Sequence, residues 1–98
     1  MKNVKSLTEE LVATATDLGR LEYRLRAIEE IIKGYDARAD DISKKFRDRD
    51  FVEASLALQR RSRGISIRHR RRVKNRITRA RSQIAATAMK LERLSGRP

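Results

Sequence analysis

The sequence predicts an all-α protein of three long helices. Apolar residues recur at alternating three- and four-residue steps, which is the spacing of one face of a helix. The only proline is Pro98, and no segment alternates apolar and polar residues as a half-buried strand does. Gly34 and Gly64 divide the 98 residues into thirds, and glycine is common just past the end of a helix. The three helices are therefore expected at about 6–33, 36–63 and 66–94.

The first predicted helix carries the most regular apolar seam. Between Val4 and Tyr35, nine of ten seam positions are apolar over more than four heptads, which is the regularity of a coiled coil. Ser6 followed by Glu9 has the spacing of a capping box, so the helix is expected to begin near Ser6 and to stop at Gly34. The large apolar residues of the bundle or oligomer seam are Leu7, Leu11, Leu18, Leu21, Leu25, Ile28 and Ile32.

The middle predicted helix is less regular. Its seam continues as far as Phe46, but Arg49 occupies the next seam position. Asp50 with Glu53 has the spacing of a helix cap. We therefore expect a kink near residues 48–50.

The third predicted helix has a thinner seam, because alanine or threonine occupies two of its seven positions. Small seam residues allow helices to approach closely but bury little apolar area. Ser95 and Gly96 are expected to end this helix. The seam consists of Val73, Ile77, Ala80, Ile84, Thr87, Leu91 and Leu94.

Two assemblies fit this pattern. The helices can form an elongated antiparallel bundle or coiled-coil hairpin within a single domain, residues 1–98. Alternatively, the first helix pairs with a second copy in a homo-oligomer, because its seam is richer in apolar residues than the third helix can cover. The sequence leaves both open.

Charge divides the chain into two halves. The 25 Lys and Arg residues exceed the 13 Asp and Glu residues, which gives a net charge of +12. Residues 1–53 hold 11 bases and 12 acids and form a charge-neutral, coiled-coil-like half, whereas residues 54–91 hold 12 bases and no acid. Ten of those 12 bases are arginines, whose planar guanidinium matches phosphate geometry better than an ammonium does. The arginine-rich half therefore indicates a polyanionic partner.

The bases of this half surround their helix on every side except the seam. A membrane-surface helix needs a broad apolar face, which is missing here, so a nucleic acid is favoured over a membrane. Most of these bases lie in the basic block, residues 60–81. The basic block has no Phe, Tyr or Trp on which single-stranded bases could stack. A duplex or structured nucleic acid is therefore favoured, with DNA and RNA both open. The predicted binding residues are Arg60, Arg61, Arg63, Arg68, Arg70, Arg71, Arg72, Lys74, Asn75, Arg76, Arg79 and Arg81.

Composition also argues against other classes of protein. The chain has no cysteine and one histidine, and it lacks metal-ligand spacing, a Gly-rich phosphate loop and a nucleophile–base set, so we expect neither an enzyme nor a cofactor. No apolar run approaches the roughly 18 residues of a membrane span, and the N-terminus lacks a signal-peptide pattern. We expect the protein in the cytoplasm or inside a nucleoprotein particle such as a virion.

These features predict a small, non-enzymatic, basic helical protein that binds the nucleic-acid phosphate backbone. It would act as an architectural or packaging protein, or as a subunit of a nucleoprotein particle such as a ribosome or virion. The alternative is a structural or scaffolding module whose basic helix docks on an acidic protein.

Overall fold

The computed structural model describes residues 3–96, which form two long helices rather than three. Helix α1 spans Val4–Lys45 (42 residues) and helix α2 spans Arg49–Ser95 (47 residues). The prediction of an all-helical chain is confirmed. The prediction of three helices is wrong, because α1 and α2 each continue through a glycine that was expected to end a helix.

Gly34 and Gly64 both lie in the helix interior, and no residue that the structure describes has a positive φ. A Cβ built on Gly34 would lie 3.6 Å from Nη1 of Arg38, and one on Gly64 would lie 4.0 Å from Nη1 of Arg68, so both sites have room for a side chain. An interior glycine costs about 1 kcal/mol relative to alanine, which weakens a helix without ending it. Packing along the seam on both sides of each glycine offsets that cost.

The break between the two helices lies in the region where the sequence predicted only a kink. Residues 46–48 join α1 to α2. Oδ1 of Asp48 accepts the backbone N–H of Asp50 (3.1 Å) and of Phe51 (3.2 Å), which makes Asp48 the N-cap of α2. The predicted cap by Asp50 and Glu53 is therefore wrong, because α2 begins at Arg49 and Asp50 already lies inside its first turn.

Helix α1 also begins earlier than the sequence predicted. Oδ1 of Asn3 accepts the backbone N–H of Ser6 (2.8 Å), and the carbonyl oxygen of Asn3 accepts that of Leu7 (3.0 Å). Asn3 is thus the N-cap, and the helix starts at Val4. The predicted capping box of Ser6 and Glu9 is wrong, because Asn3 supplies the cap three residues upstream of Ser6.

Contacts divide the chain into two units. The terminal unit comprises the described residues 3–24 and 73–96, and the turn unit comprises residues 25–72. Each unit contains one segment of α1 and one segment of α2.

The core of the terminal unit is a single seam between its two helical segments. Its most buried apolar side chains are Leu7 and Val73, at 2% and 1% exposure. Of the predicted third-helix seam, Ile84 and Leu91 are half-buried, whereas Leu94 is 45% exposed and lies outside the core. The buried residues of this unit are Leu7, Leu21, Val73, Ile77, Ala80 and Thr87.

The core of the turn unit is apolar on α1 and largely polar on α2. Ile28 and Ile32 of α1 are each 5% exposed, and Leu25 beside them is half-buried. At the closed end of the unit, the rings of Phe46 and Phe51 lie 5.0 Å apart between centroids. The half-buried residues at seam spacing on α2 are Val52, Leu56, Gln59, Arg63, Ser66 and Arg70.

Substitutions at Gly64 test the continuity of α2. We expect Gly64→Ala to raise the free energy of unfolding by up to about 1 kcal/mol, because alanine has the higher helix propensity and its Cβ has room. Gly64→Pro should lower it by about 3 kcal/mol or more, since proline removes an interior hydrogen bond. Urea unfolding followed by circular dichroism measures both. Unchanged stability in the proline variant would mean that a helix ends at Gly64.

Candidate nucleic-acid interface

The predicted nucleic-acid-binding residues all lie on α2, and ten of the twelve are exposed. Arg63 and Arg70 are the two half-buried members. The turn unit holds Arg60, Arg61, Arg63, Arg68, Arg70, Arg71 and Arg72, and the terminal unit holds Lys74, Asn75, Arg76, Arg79 and Arg81.

In the turn unit, three exposed arginines share the side of α2 that faces away from the seam. Arg61, Arg68 and Arg72 are spaced by seven and four residues, so they repeat on one helix face. At 1.5 Å per residue, Arg61 and Arg72 lie about 16 Å apart along the axis. Two of these arginines line an open depression of about 330 Å³ together with Ile65 and His69. Both arginine side chains therefore border one solvent-facing depression, where guanidinium groups can donate to an anion.

Within residues 3–96, the exposed bases between Arg60 and Arg81 form no ion pair with a carboxylate. Among residues 3–96, Arg63 is the only base of the block that forms an ion pair. Acids of α1 instead pair locally with lysines, as in Asp40–Lys44 at 2.9 Å. The exposed bases between Arg60 and Arg81 therefore have no ion-pair partner within residues 3–96, an arrangement that attracts polyanions.

Arg63 has a structural contact that the sequence did not reveal. Its Nε donates to Oδ1 of Asp36 on α1 at 2.7 Å. A second link joins the same two helical segments, because Nε of Arg38 donates to Oε1 of Gln59 at 3.3 Å while its guanidinium lies 4.8 Å from the ring centroid of Tyr35. Arg63 is therefore less available to a ligand than its exposed neighbours.

Heptad spacing is the signal that would have separated Arg63 and Arg70 from the rest. Counting back from Val73 in alternating steps of three and four residues reaches Arg70, Ser66, Arg63 and Gln59, all of them half-buried. The seam positions from Gln59 to Arg70 are polar, so an apolar pattern alone does not reveal them. These two arginines consequently belong to the helix–helix contact as well as to the basic block.

In the terminal unit, exposed bases of α2 lie on several sides of its buried seam. Val73, Ile77 and Ala80 are buried, whereas the four bases Lys74, Arg76, Arg79 and Arg81 are exposed. The exposed amide of Asn75 makes no hydrogen bond to any residue from 3 to 96, so its donors and acceptor are available. This part of α2 can donate to phosphate oxygens on several sides while its seam remains packed.

A second cleft, of about 250 Å³, surrounds the Asp36–Arg63 pair and is lined also by Tyr35, Ala39 and Leu56. Its one carboxylate, that of Asp36, is already paired with Arg63. No group of three or more His, Asp or Glu side chains within residues 3–96 is placed to hold a metal ion. Exposed guanidinium groups are the most numerous charged groups that residues 60–81 present to solvent.

The predicted seam of the first helix lies in both units. Leu7, Leu21, Ile28 and Ile32 are buried, and Leu11, Leu18 and Leu25 are half-buried. All of this burial arises within one chain. A second copy is thus not needed to cover the seam.

Comparisons of the chain with protein-family models, with curated proteins and with solved structures find no match. Over the residues that the structure describes, neither α1 nor α2 has an apolar stretch long enough to cross a membrane. Any assignment of function therefore rests on the geometry and charge of the chain itself.

Proposed function

We propose that this chain binds the phosphate backbone of a duplex or structured nucleic acid through the arginine-rich part of α2. One observation carries the proposal. Between Arg60 and Arg81, nine Lys and Arg side chains are exposed, and none of them pairs with a carboxylate in residues 3–96. Eight of these nine are arginines, whose planar donors fit phosphate oxygens in bidentate fashion.

The dimensions of α2 suit a duplex. Duplex DNA carries one negative charge per roughly 1.7 Å of its axis, so the 16 Å between Arg61 and Arg72 corresponds to about ten phosphates. Eleven bases distributed around a helix cannot all reach one duplex, and about four to seven contacts are expected. A helix that is packed along its seam presents these donors without much further ordering of its backbone, which lowers the entropic cost of binding.

Contacts of this kind position a protein on nucleic acid without reading its sequence. Residues 60–81 contain no Phe, Tyr or Trp, and Asn75 is their only amide side chain. We therefore propose a non-enzymatic architectural or packaging role, or a place as a subunit of a nucleoprotein particle such as a ribosome or virion. The charge-neutral helix α1 supplies the packing partner of α2.

The salt dependence of binding tests the proposal. Random-sequence duplexes of DNA and of RNA, fluorescently labelled, are titrated with the protein at a series of salt concentrations. We expect log affinity to fall linearly with log salt, with a slope of about −4 to −6 on DNA, because each phosphate contact releases about 0.9 counterion. Duplexes of different sequence and equal length should bind with similar affinity.

Absence of duplex binding at low salt, or a slope near zero, would contradict this function. The alternative is a scaffolding module whose basic helix docks on an acidic protein. A protein that leaves duplexes unbound but binds polyglutamate with a steep salt dependence would support that alternative.

A further inference from the structure

The turn unit carries an apolar stripe on the solvent side of α2. Phe51, Leu58 and Ile65 are 48%, 62% and 56% exposed. They are spaced by seven residues, so they lie on one face of the helix, over about 21 Å of its axis. Single exposed apolar residues are ordinary, but a regular row of large ones on one face is typical of a contact surface.

This stripe is not part of the core of the turn unit. The half-buried seam residues Val52 and Gln59 each follow a stripe residue by one position, which turns the stripe about 100° away from the seam. At one end the stripe meets the turn, where the ring of Phe51 packs against that of Phe46. No packing within the unit therefore explains why Leu58 and Ile65 are apolar.

The charges beside the stripe indicate what covers it. Arg61 and Arg68 each follow a stripe residue by three positions and lie along its flank, and both are exposed without a carboxylate partner in residues 3–96. The turn unit as a whole contains 14 bases and 8 acids. A second copy that docked through its own stripe would bring like charges together on this surface, whereas a partner with carboxylates along one edge would neutralise them.

We propose that the stripe of Phe51, Leu58 and Ile65 docks an acidic amphipathic helix of a partner protein. The apolar face of that helix covers the stripe, and its Asp or Glu residues face Arg61 and Arg68. The 21 Å length matches a helix of about 14 residues with apolar anchors at i, i+4, i+7 and i+11. The partner helix and the proposed nucleic-acid ligand would both use Arg61 and Arg68, so the two are expected to compete for this part of α2.

Two double variants and two peptides test the docking surface. The stripe variant combines Leu58→Gln with Ile65→Gln, and the control variant combines Val12→Gln with Met89→Gln, which are 60% and 54% exposed in the terminal unit. The probe is a synthetic helical peptide of about 18 residues with leucines at the four anchor positions and glutamates along one edge of the leucine face. The second peptide has the same composition in scrambled order.

We expect the probe peptide to bind the unmodified protein and the control variant equally, and the stripe variant at least about tenfold more weakly. The scrambled peptide should bind none of them appreciably. Circular dichroism should show equal helix content in all three proteins, because glutamine is a good helix former and every position is exposed. The stripe variant keeps every base of α2, so a loss of peptide binding in it reports on the apolar stripe and not on a loss of charge.

Three results would overturn the proposal. One is equal binding of the probe peptide to the stripe variant and to the unmodified protein, and another is equal binding of the scrambled peptide. The third is self-association of the unmodified protein in sedimentation that the stripe variant loses, because the occupant would then be a second copy.

Discussion

Replacing Arg68, Arg71 and Arg72 together with glutamine is expected to flatten the salt dependence of duplex binding by up to about three units, since each lost phosphate contact removes about 0.9 from the slope. Affinity should fall similarly for all sequences, because phosphate contacts carry no sequence information. All three side chains are exposed and free of ion pairs within residues 3–96. The measurement is the salt titration on random duplexes, with circular dichroism to verify that the helices persist.

The matched control replaces Lys44 and Lys45 with glutamine. These lysines lie 2.9 Å from Asp40 and 3.7 Å from Asp41, so their charges are already offset within α1. The slope should therefore remain close to that of the unmodified protein. If the lysine variant weakened binding and the triple arginine variant did not, the arginine-rich part of α2 would not be the binding surface.

Ile28→Ala is expected to lower the free energy of unfolding by about 2–5 kcal/mol, because it removes buried methyl and methylene groups and leaves a cavity. Ile28 is only 5% exposed in the core of the turn unit. Ile31→Ala is the control on the same helix, since Ile31 is 49% exposed. Its substitution should change stability by less than about 1 kcal/mol. Urea unfolding at several protein concentrations measures both variants.

Equal losses in the Ile28 and Ile31 variants would contradict the packing of α1 against α2. A stability that rises with protein concentration would show that the seam is shared between copies, because dissociation is then part of unfolding. Since the burial of Ile28 arises within one chain, we expect unfolding to be independent of concentration.

The helical nature of this chain was predictable because its apolar spacing has a single period. A seam repeated on alternating three- and four-residue steps can bury its large side chains only in a helix, and every seam leucine and isoleucine from Leu7 to Ile32 is buried or half-buried in the structure. The number of helices was not predictable from Gly34 and Gly64. Glycine weakens a helix by an amount that neighbouring packing can offset, and that packing depends on a segment distant in sequence.

The turn between α1 and α2 also separates what the sequence predicts from what the structure decides. Asp48, Asp50 and Glu53 all belong to residue types that cap helices, and their local spacing favoured the later pair. The structure places the break at residues 46–48, where Phe46 and Phe51 can bring their rings together. A local rule identified the region, and the structure shows that Asp48 supplies the cap.

Charge patterning alone located the arginine-rich segment, because the absence of acids from residues 54–91 is a property of composition that no fold can alter. Which of those arginines are available to a partner depends on the helix that packs against them. Arg63 bonds to Asp36, 27 residues away, and Arg70 occupies a half-buried seam position, while Arg68 points to solvent. Periodicity and charge are properties of the sequence in any packing of the chain. The exposure of each arginine, and the pairing of Arg63 with a carboxylate of α1, arise only when α1 and α2 pack together.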